Sequence, residues 1–215
     1  MMQKYGETVF DILYLITAIT FGIVILIRSK NNKHRLMGWA CLVLGCGDAF
    51  HLVPRILDYF VEADLSAPIG IGKLVTSITM TVFYILLYHI YLRFDGAKES
   101  RPITTAVYLL SAIRIALCCM PQNRWLQNDS PYLWGIFRNI PFLLLGILII
   151  VLYFTKRDVQ HMRFVWLYVT LSFAFYAVTV LGAPFVPLLG MFMLPKTVCY
   201  VMILIAFYRS VRDDS

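Results

Sequence analysis

The sequence predicts an all-α, polytopic membrane helix bundle with seven transmembrane helices, its N-terminus outside and its C-terminus cytoplasmic. Three observations lead there. Of the 215 residues, 60% are hydrophobic and only 14% charged, whereas a soluble domain carries about 25% charge. Apolar stretches of roughly 20 residues recur along the chain, each long enough at about 1.5 Å per residue to cross about 30 Å of hydrocarbon. Lys and Arg, finally, are plentiful in every second connection and scarce in the others, the asymmetry that orients membrane helices.

The first span is expected over 10–27. Glu7 and Asp11 stand ahead of its apolar run and no small-residue cleavage site follows, so the segment is read as a retained span. The next six are expected over 36–57, 69–92, 103–120, 132–154, 164–182 and 188–208. Pro68, Pro102, Pro121, Pro131, Pro184 and Pro187 fall near their ends, where helices start or stop. The connections are short and no linker interrupts them, so residues 1–215 are expected to form one seven-span domain.

Orientation follows from the basic residues. Segments 28–35, 93–101, 156–163 and the tail from 209 hold 4, 3, 3 and 2 Lys or Arg, while the opposite side has only Lys4 and Arg124. The first set is assigned to the cytoplasm. The external connection with Asp58, Glu62 and Asp64 is acidic. An integral protein of the bacterial plasma membrane is the expected setting.

The net charge of +7 comes mostly from these topology signals, with no basic surface patch interleaved with aromatics, so nucleic acid is not an expected partner. Cys41, Cys46, Cys118, Cys119 and Cys199 lie in apolar segments and imply no disulfide framework.

Five basic residues remain inside the spans: Arg55, Lys73, Arg114, Arg138 and Lys196. Facing them, with Glu7 and Asp11 taken as preceding the first apolar run, is one embedded carboxylate, Asp48. A charge at mid-membrane costs about 2.5–3.5 kcal/mol even on the lenient insertion scale, so such side chains face a bundle interior or a wet cavity. All five cations belong to the external half. Arg55 and Lys73 also stand close enough to the interface to snorkel toward headgroups.

Asp48, His51 and Arg55 share one face of span two. Span three continues the polar pattern with Lys73, Ser77, Thr81, Tyr84 and Tyr88, span four with Tyr108, Ser111 and Arg114, and span six with Tyr168, Ser172 and Thr179. Stripes of this kind also serve as plain helix contacts. Together they predict a polar pocket open near the external leaflet, with Pro141 and Pro195 kinking their helices toward it. Asp48 and His51, one turn apart, are the candidate catalytic pair, with His51 oriented by Asp48 and acting as general acid or base. The same two residues could instead form a structural ion pair holding span two to its neighbours. Arg55, Lys73, Ser77, Tyr84, Arg114, Arg138 and Lys196 are the candidate substrate-binding set. His89, near the inner end, and His34 and His161, in cytoplasmic connections, stand apart. One histidine and one carboxylate at this depth do not make a zinc site; no metal and no cofactor is expected.

Five cations against one carboxylate leave an excess of about four positive charges, costly without an anion. Arginine suits phosphate, and a lipid headgroup is the most available phosphate at this depth. The expected partners are membrane lipid and an anionic, amphiphilic small molecule; the oligomeric state is left open.

The segment Gly47-Asp48-Ala49-Phe50-His51-Leu52-Val53-Pro54-Arg55, followed by the span over 70–91 with its Phe83-Tyr84-Ile85 core, resembles the YhhN-type lysoplasmalogenase family over spans two and three. That resemblance implies a multispan hydrolase cleaving the vinyl ether bond of lysoplasmalogens, with Asp48 in the catalytic role. The family commonly has eight spans and a second essential aspartate in a later one, whereas spans four to seven here hold no Asp or Glu. His51 would then supply the second acid or base.

Three functional readings follow. An intramembrane hydrolase of a lysophospholipid-like lipid uses both the acid-base pair and the cations. A transporter or receptor for a small anion needs the cations alone. A retinal protein would share the seven spans and a lysine in the last one, but Lys196 is shallow and span three lacks a counterion.

Overall fold

The computed structural model describes residues 2–214. Seven α-helices run antiparallel to their neighbours in sequence: α1 (Met2–Ile27), α2 (Asn32–Asp58), α3 (Ser66–Tyr91), α4 (Arg101–Cys119), α5 (Tyr132–Thr155), α6 (Val165–Gly182) and α7 (Met193–Asp213). With any 3₁₀ lead-in included, all seven are long and apolar enough to cross a membrane. No strand occurs among the described residues.

Each helix packs against the next, and α7 returns to α1 to close the ring. Helix α3 also packs on α5, which explains why Met80, Phe83, Tyr84, Leu87, Tyr88, Ile90 and Tyr91 are all buried. Outward faces are apolar too: Ile16, Leu144, Ile147 and Val151 are largely exposed, the pattern of helices whose solvent is hydrocarbon.

The expected spans are met, with shifted ends. The largest shift is at the start, where α1 begins at Met2 rather than Phe10 and so takes Glu7 into the same helix as Asp11. At the other end, a 3₁₀ segment, Pro187–Phe192, precedes α7. Pro195 therefore sits in the first turn of α7, where a missing N–H costs nothing; the expected kink is not needed there. Pro141 lies inside α5, which continues through it.

Between α4 and α5 the chain makes two short 3₁₀ turns, Pro121–Asn123 and Trp125–Gln127, separated by left-handed residues Arg124 (φ 49) and Asn128 (φ 52). The buried Asn123 amide donates to the Leu117, Cys118 and Met120 carbonyls, and Trp125 Nε1 donates to Cys118 O at 2.8 Å. These bonds satisfy the carbonyls that the end of α4 leaves open, and fix the connection as a cap over one pole of the bundle. The 2–3 and 6–7 connections lie at the same pole.

Candidate functional site

The site begins where α1 faces α2. Arg55 Nη2 donates to Glu7 Oε2 at 2.7 Å, and the Tyr59 hydroxyl donates to the same oxygen at 2.9 Å. Two turns deeper, the Tyr14 hydroxyl donates to Asp48 Oδ2 at 2.5 Å. The antiparallel register that pairs Glu7 with Arg55 and Tyr14 with Asp48 sets Asp11 level with His51. Asp11 is only 7% exposed, interacts electrostatically with Arg55, Glu7 and Asp48, and makes no side-chain hydrogen bond among the described residues. Asp48 is therefore not the sole embedded carboxylate. Glu7, Asp11 and Tyr14, at i, i+4 and i+7, form a polar stripe of their own.

Helices α2 and α3 meet at unusually close range because each presents a glycine. A Cβ at Gly72 would strike the backbone of Phe50 and His51, and one at Gly47 would strike the Thr79 side chain. This approach brings Thr76 to His51. The Thr76 hydroxyl donates to Gly47 O at 2.9 Å and lies 3.3 Å from His51 Nδ1. With its one proton used on the carbonyl, the hydroxyl offers His51 only lone pairs, which assigns the ring proton to Nδ1 and leaves Nε2 as a lone pair. His51 is thus oriented by Thr76 and by the Asp48 backbone, not, as expected, by the Asp48 side chain, which turns to α1.

The cations fall into two groups. At the mouth, Lys73 Nζ donates to Asn128 Oδ1 at 2.7 Å. Arg138 Nη1 donates to Asn123 Oδ1 at 2.7 Å and Ser130 Oγ at 2.6 Å, and its guanidinium carbon lies 4.5 Å from the centre of the Trp125 ring. Deeper in, Arg114 is 3% exposed and stacks 3.3 Å above the Phe142 ring. Its Nε and Nη1 have no hydrogen-bond partner among the described residues. Lys196, 9% exposed, holds Nζ 4.4 Å from the Tyr176 ring centre. It acts electrostatically on Asp48, and Arg114 acts on it in turn. Neither deep cation has a salt-bridge partner among the described residues. Of the cations on α5 and α7, Lys196 acts on Asp48, whereas Arg138 stays with the cap.

A cavity of about 720 Å³ joins these groups, with His51, Arg55, Lys73, Ser77, Arg114, Arg138 and Lys196 all on its wall. A side chamber of about 70 Å³ adds Asp11, Tyr14 and Asp48, sharing His51, Arg55, Thr76 and Lys196 with the main space. Eight of the nine expected residues therefore line one continuous polar space. Tyr84 does not. It is fully buried, its hydroxyl 3.4 Å from that of Tyr200 and its ring edge-on to Phe142 and Phe173; it belongs to the core beneath the cavity. Ser77 hydrogen-bonds back to Lys73 O at 2.8 Å, so Thr76 is the α3 hydroxyl at the His51 end.

Glu7, Asp11, Asp48 and Asp58 line this space beside the five cations, so the expected excess of about four positive charges falls to one. Chemically, the space offers two unpaired cations for an anion, an imidazole lone pair, and a carboxylate held by a tyrosine. No family model matches the chain, and no curated protein or solved structure does either.

Proposed function

We propose that the protein is an intramembrane hydrolase of a lysophospholipid-like, anionic lipid, acting in a bacterial plasma membrane with the cavity open to the external leaflet. The observation that carries this reading is Arg114, a buried guanidinium on the wall of a large cavity whose Nε and Nη1 have no hydrogen-bond partner among the described residues. A buried charge so placed is costly until an anion meets it, and planar N–H donors suit a phosphate. Lys196 adds a second unpaired charge, while Arg138 and Lys73 line the route inward. With the phosphate so held, His51 Nε2 takes a proton from water as that water attacks the carbon of the scissile ether or ester bond. The proton then passes from His51, directly or by way of Asp48, to the departing oxygen of an ester, or to the β-carbon of a vinyl ether, whose hemiacetal breaks down to alcohol and aldehyde. The resemblance of spans two and three to the YhhN-type lysoplasmalogenases supports the same class of chemistry, with Asp48 at its centre.

The basic connections 28–35, 93–101 and 156–163 support a cytoplasmic C-terminus and an external cavity mouth. A phosphatase or fluorescent-protein fusion at the C-terminus tests that orientation.

Activity is tested by incubating purified protein with lysophospholipids and lysoplasmalogens and searching for products by mass spectrometry, beside Asp48→Asn and His51→Ala. Turnover lost in both variants is expected. Absence of turnover, with lipid or small anions still raising thermal stability, would replace the hydrolase by a transporter or receptor for an anion.

A further inference from the structure

The cavity is separated from the lipid-facing surface between α5 and α6 by a partition one side chain thick. On the outer side of that partition lies a groove of about 130 Å³, lined by apolar residues of the two helices and Asn139. Phe142, Tyr176 and Val180 line both the groove and the cavity. The cavity face of each ring carries a cation, Arg114 on Phe142 and Lys196 on Tyr176. On the groove side the Tyr176 hydroxyl donates to Asn139 Oδ1 at 2.9 Å. Toward the middle of the membrane, α5 and α6 close on each other, because Gly146 leaves room for the Phe173 ring.

We propose that this groove is a lateral portal that seats the hydrocarbon chain of a single-chain anionic amphiphile whose headgroup lies at Arg114 and Lys196. The inference deepens, and rests on, the reading of the cavity as a headgroup site. Three features argue for this occupant. The two unpaired cations and the apolar groove are the two halves of an amphiphile's surface, and they meet at the same two rings. The groove lies in the gap between one pair of neighbouring helices, which at ordinary spacings of about 8–10 Å between axes accepts one chain rather than two side by side. The partition has one side-chain hydrogen bond among the described residues, Tyr176 to Asn139; Phe142 packs on the Tyr84, Phe173 and Tyr176 rings, and both partition rings hold cations that an arriving phosphate would engage. An anion in the cavity thus weakens the hold on both rings, coupling headgroup capture to passage of the chain. The sequence offered a partial sign: Ala177 is the small residue between Tyr176 and the bulky Val178, and it opens the groove.

The test uses the full chain in detergent, with thermal unfolding titrated by glycerol 3-phosphate and by lysophosphatidic acids, the same headgroup carrying an octanoyl, lauroyl or palmitoyl chain. Ala177→Trp and Leu143→Trp fill the groove from exposed positions; Ile147→Trp, exposed on the same helix and outside the groove, is the control. Wild type and the control should gain affinity with chain length, up to about fourfold for each methylene seated. The two groove variants should lose at least tenfold of the palmitoyl-over-octanoyl preference while binding glycerol 3-phosphate as wild type does. Unchanged chain-length dependence in both groove variants would overturn the portal and leave the headgroup site standing. A chain-length preference abolished by the groove variants, with no glycerol 3-phosphate binding in wild type, would keep the portal and remove the headgroup reading. Failure of every lysolipid to bind wild type would remove both.

Discussion

The Tyr14 hydroxyl and the Asp48 carboxylate meet across the α1/α2 interface at 2.5 Å, and Lys196 of α7 acts on the same carboxylate. The hydrogen bond ties the first helix to the second, and the charge of the last helix reaches the same carboxylate. Tyr14→Phe keeps the ring and removes the donor. Hydrogen bonds to charged groups contribute about 1.5–3 kcal/mol, so the variant should unfold at a lower temperature and hydrolyse lipid more slowly. Calorimetry in detergent and product analysis measure the two effects. An unaltered melting temperature would mean that water or Lys196 replaces the hydroxyl.

Arg114 leads to an opposite expectation for stability. Its desolvated charge opposes folding of the empty protein, and the Phe142 contact offsets that cost only in part. Arg114→Leu should therefore melt no lower than wild type without ligand, and above it if the cavity does not collapse. The same variant should lose the stabilisation by glycerol 3-phosphate, which for wild type at a hundred times Kd amounts to about 2.7 kcal/mol. A variant that unfolds without ligand would assign Arg114 a structural role.

Gly72 sets how closely α3 approaches α2. A Cβ there would meet the carbonyl and backbone of Phe50 and His51, so Gly72→Ala forces the helices apart and with them Thr76 from His51. Overpacking of this kind costs about 1–3 kcal/mol. Both a lower melting temperature and a changed pH profile of turnover are expected, since His51 would lose the acceptor on Nδ1. Thr76→Val, which breaks the bond without moving the helices, should reproduce the second effect alone.

At the opposite pole Asp214 accepts from His34 Nε2 at 3.0 Å and from Lys33 at 3.5 Å, and these partners hold its carboxyl below the usual carboxylate range. A carboxylate with a depressed folded pKa stabilises above its unfolded value, near 3.8, and that contribution fades as pH falls through the folded value. Asp214→Asn should melt slightly below wild type at neutral pH, by the about 0–1 kcal/mol of a half-exposed pair, and match it in strong acid. An equal difference at neutral pH and in acid strong enough to protonate the folded carboxyl would contradict the assignment.

How far the sequence carried can be judged residue by residue. The seven helices were legible because long apolar runs leave the chain no alternative in lipid, and the in-span cations because a buried charge is conspicuous by composition. Tyr84 was misjudged because a polar stripe at helical spacing does not distinguish a cavity wall from a hydrogen-bonded core. Asp11 and Tyr14 lie within the span expected over 10–27 but go unrecognised there, because Asp11 reads with Glu7 as standing ahead of the apolar run and Tyr14 as one more span residue. The signal was present in the Glu7, Asp11, Tyr14 spacing, which marks a helical face once the helix is extended by two turns. Thr76 had no such signal. Its role depends on the glycine contacts that fix the register of α2 on α3, and register is a tertiary property.

Asp11 is the sharpest test of how many carboxylates the site uses. It is buried beside Glu7 and Asp48, two like charges, with Arg55 the one opposing charge acting on it, and it shares the side chamber with Asp48 and Lys196. A carboxylate kept in such company without a side-chain hydrogen bond is a poor structural element, since the repulsion and desolvation oppose folding. Asp11→Asn preserves the shape and removes the charge, so thermal stability should hold or rise. Turnover should fall by about a hundredfold or more if Asp11 moves a proton or orients the water. Combined with Asp48→Asn, a loss no greater than that of the more damaging single variant would assign both carboxylates to one step, whereas losses that multiply would assign them to separate steps. Full turnover in Asp11→Asn would confine the chemistry to α2 and leave the α1 carboxylate to balance Arg55.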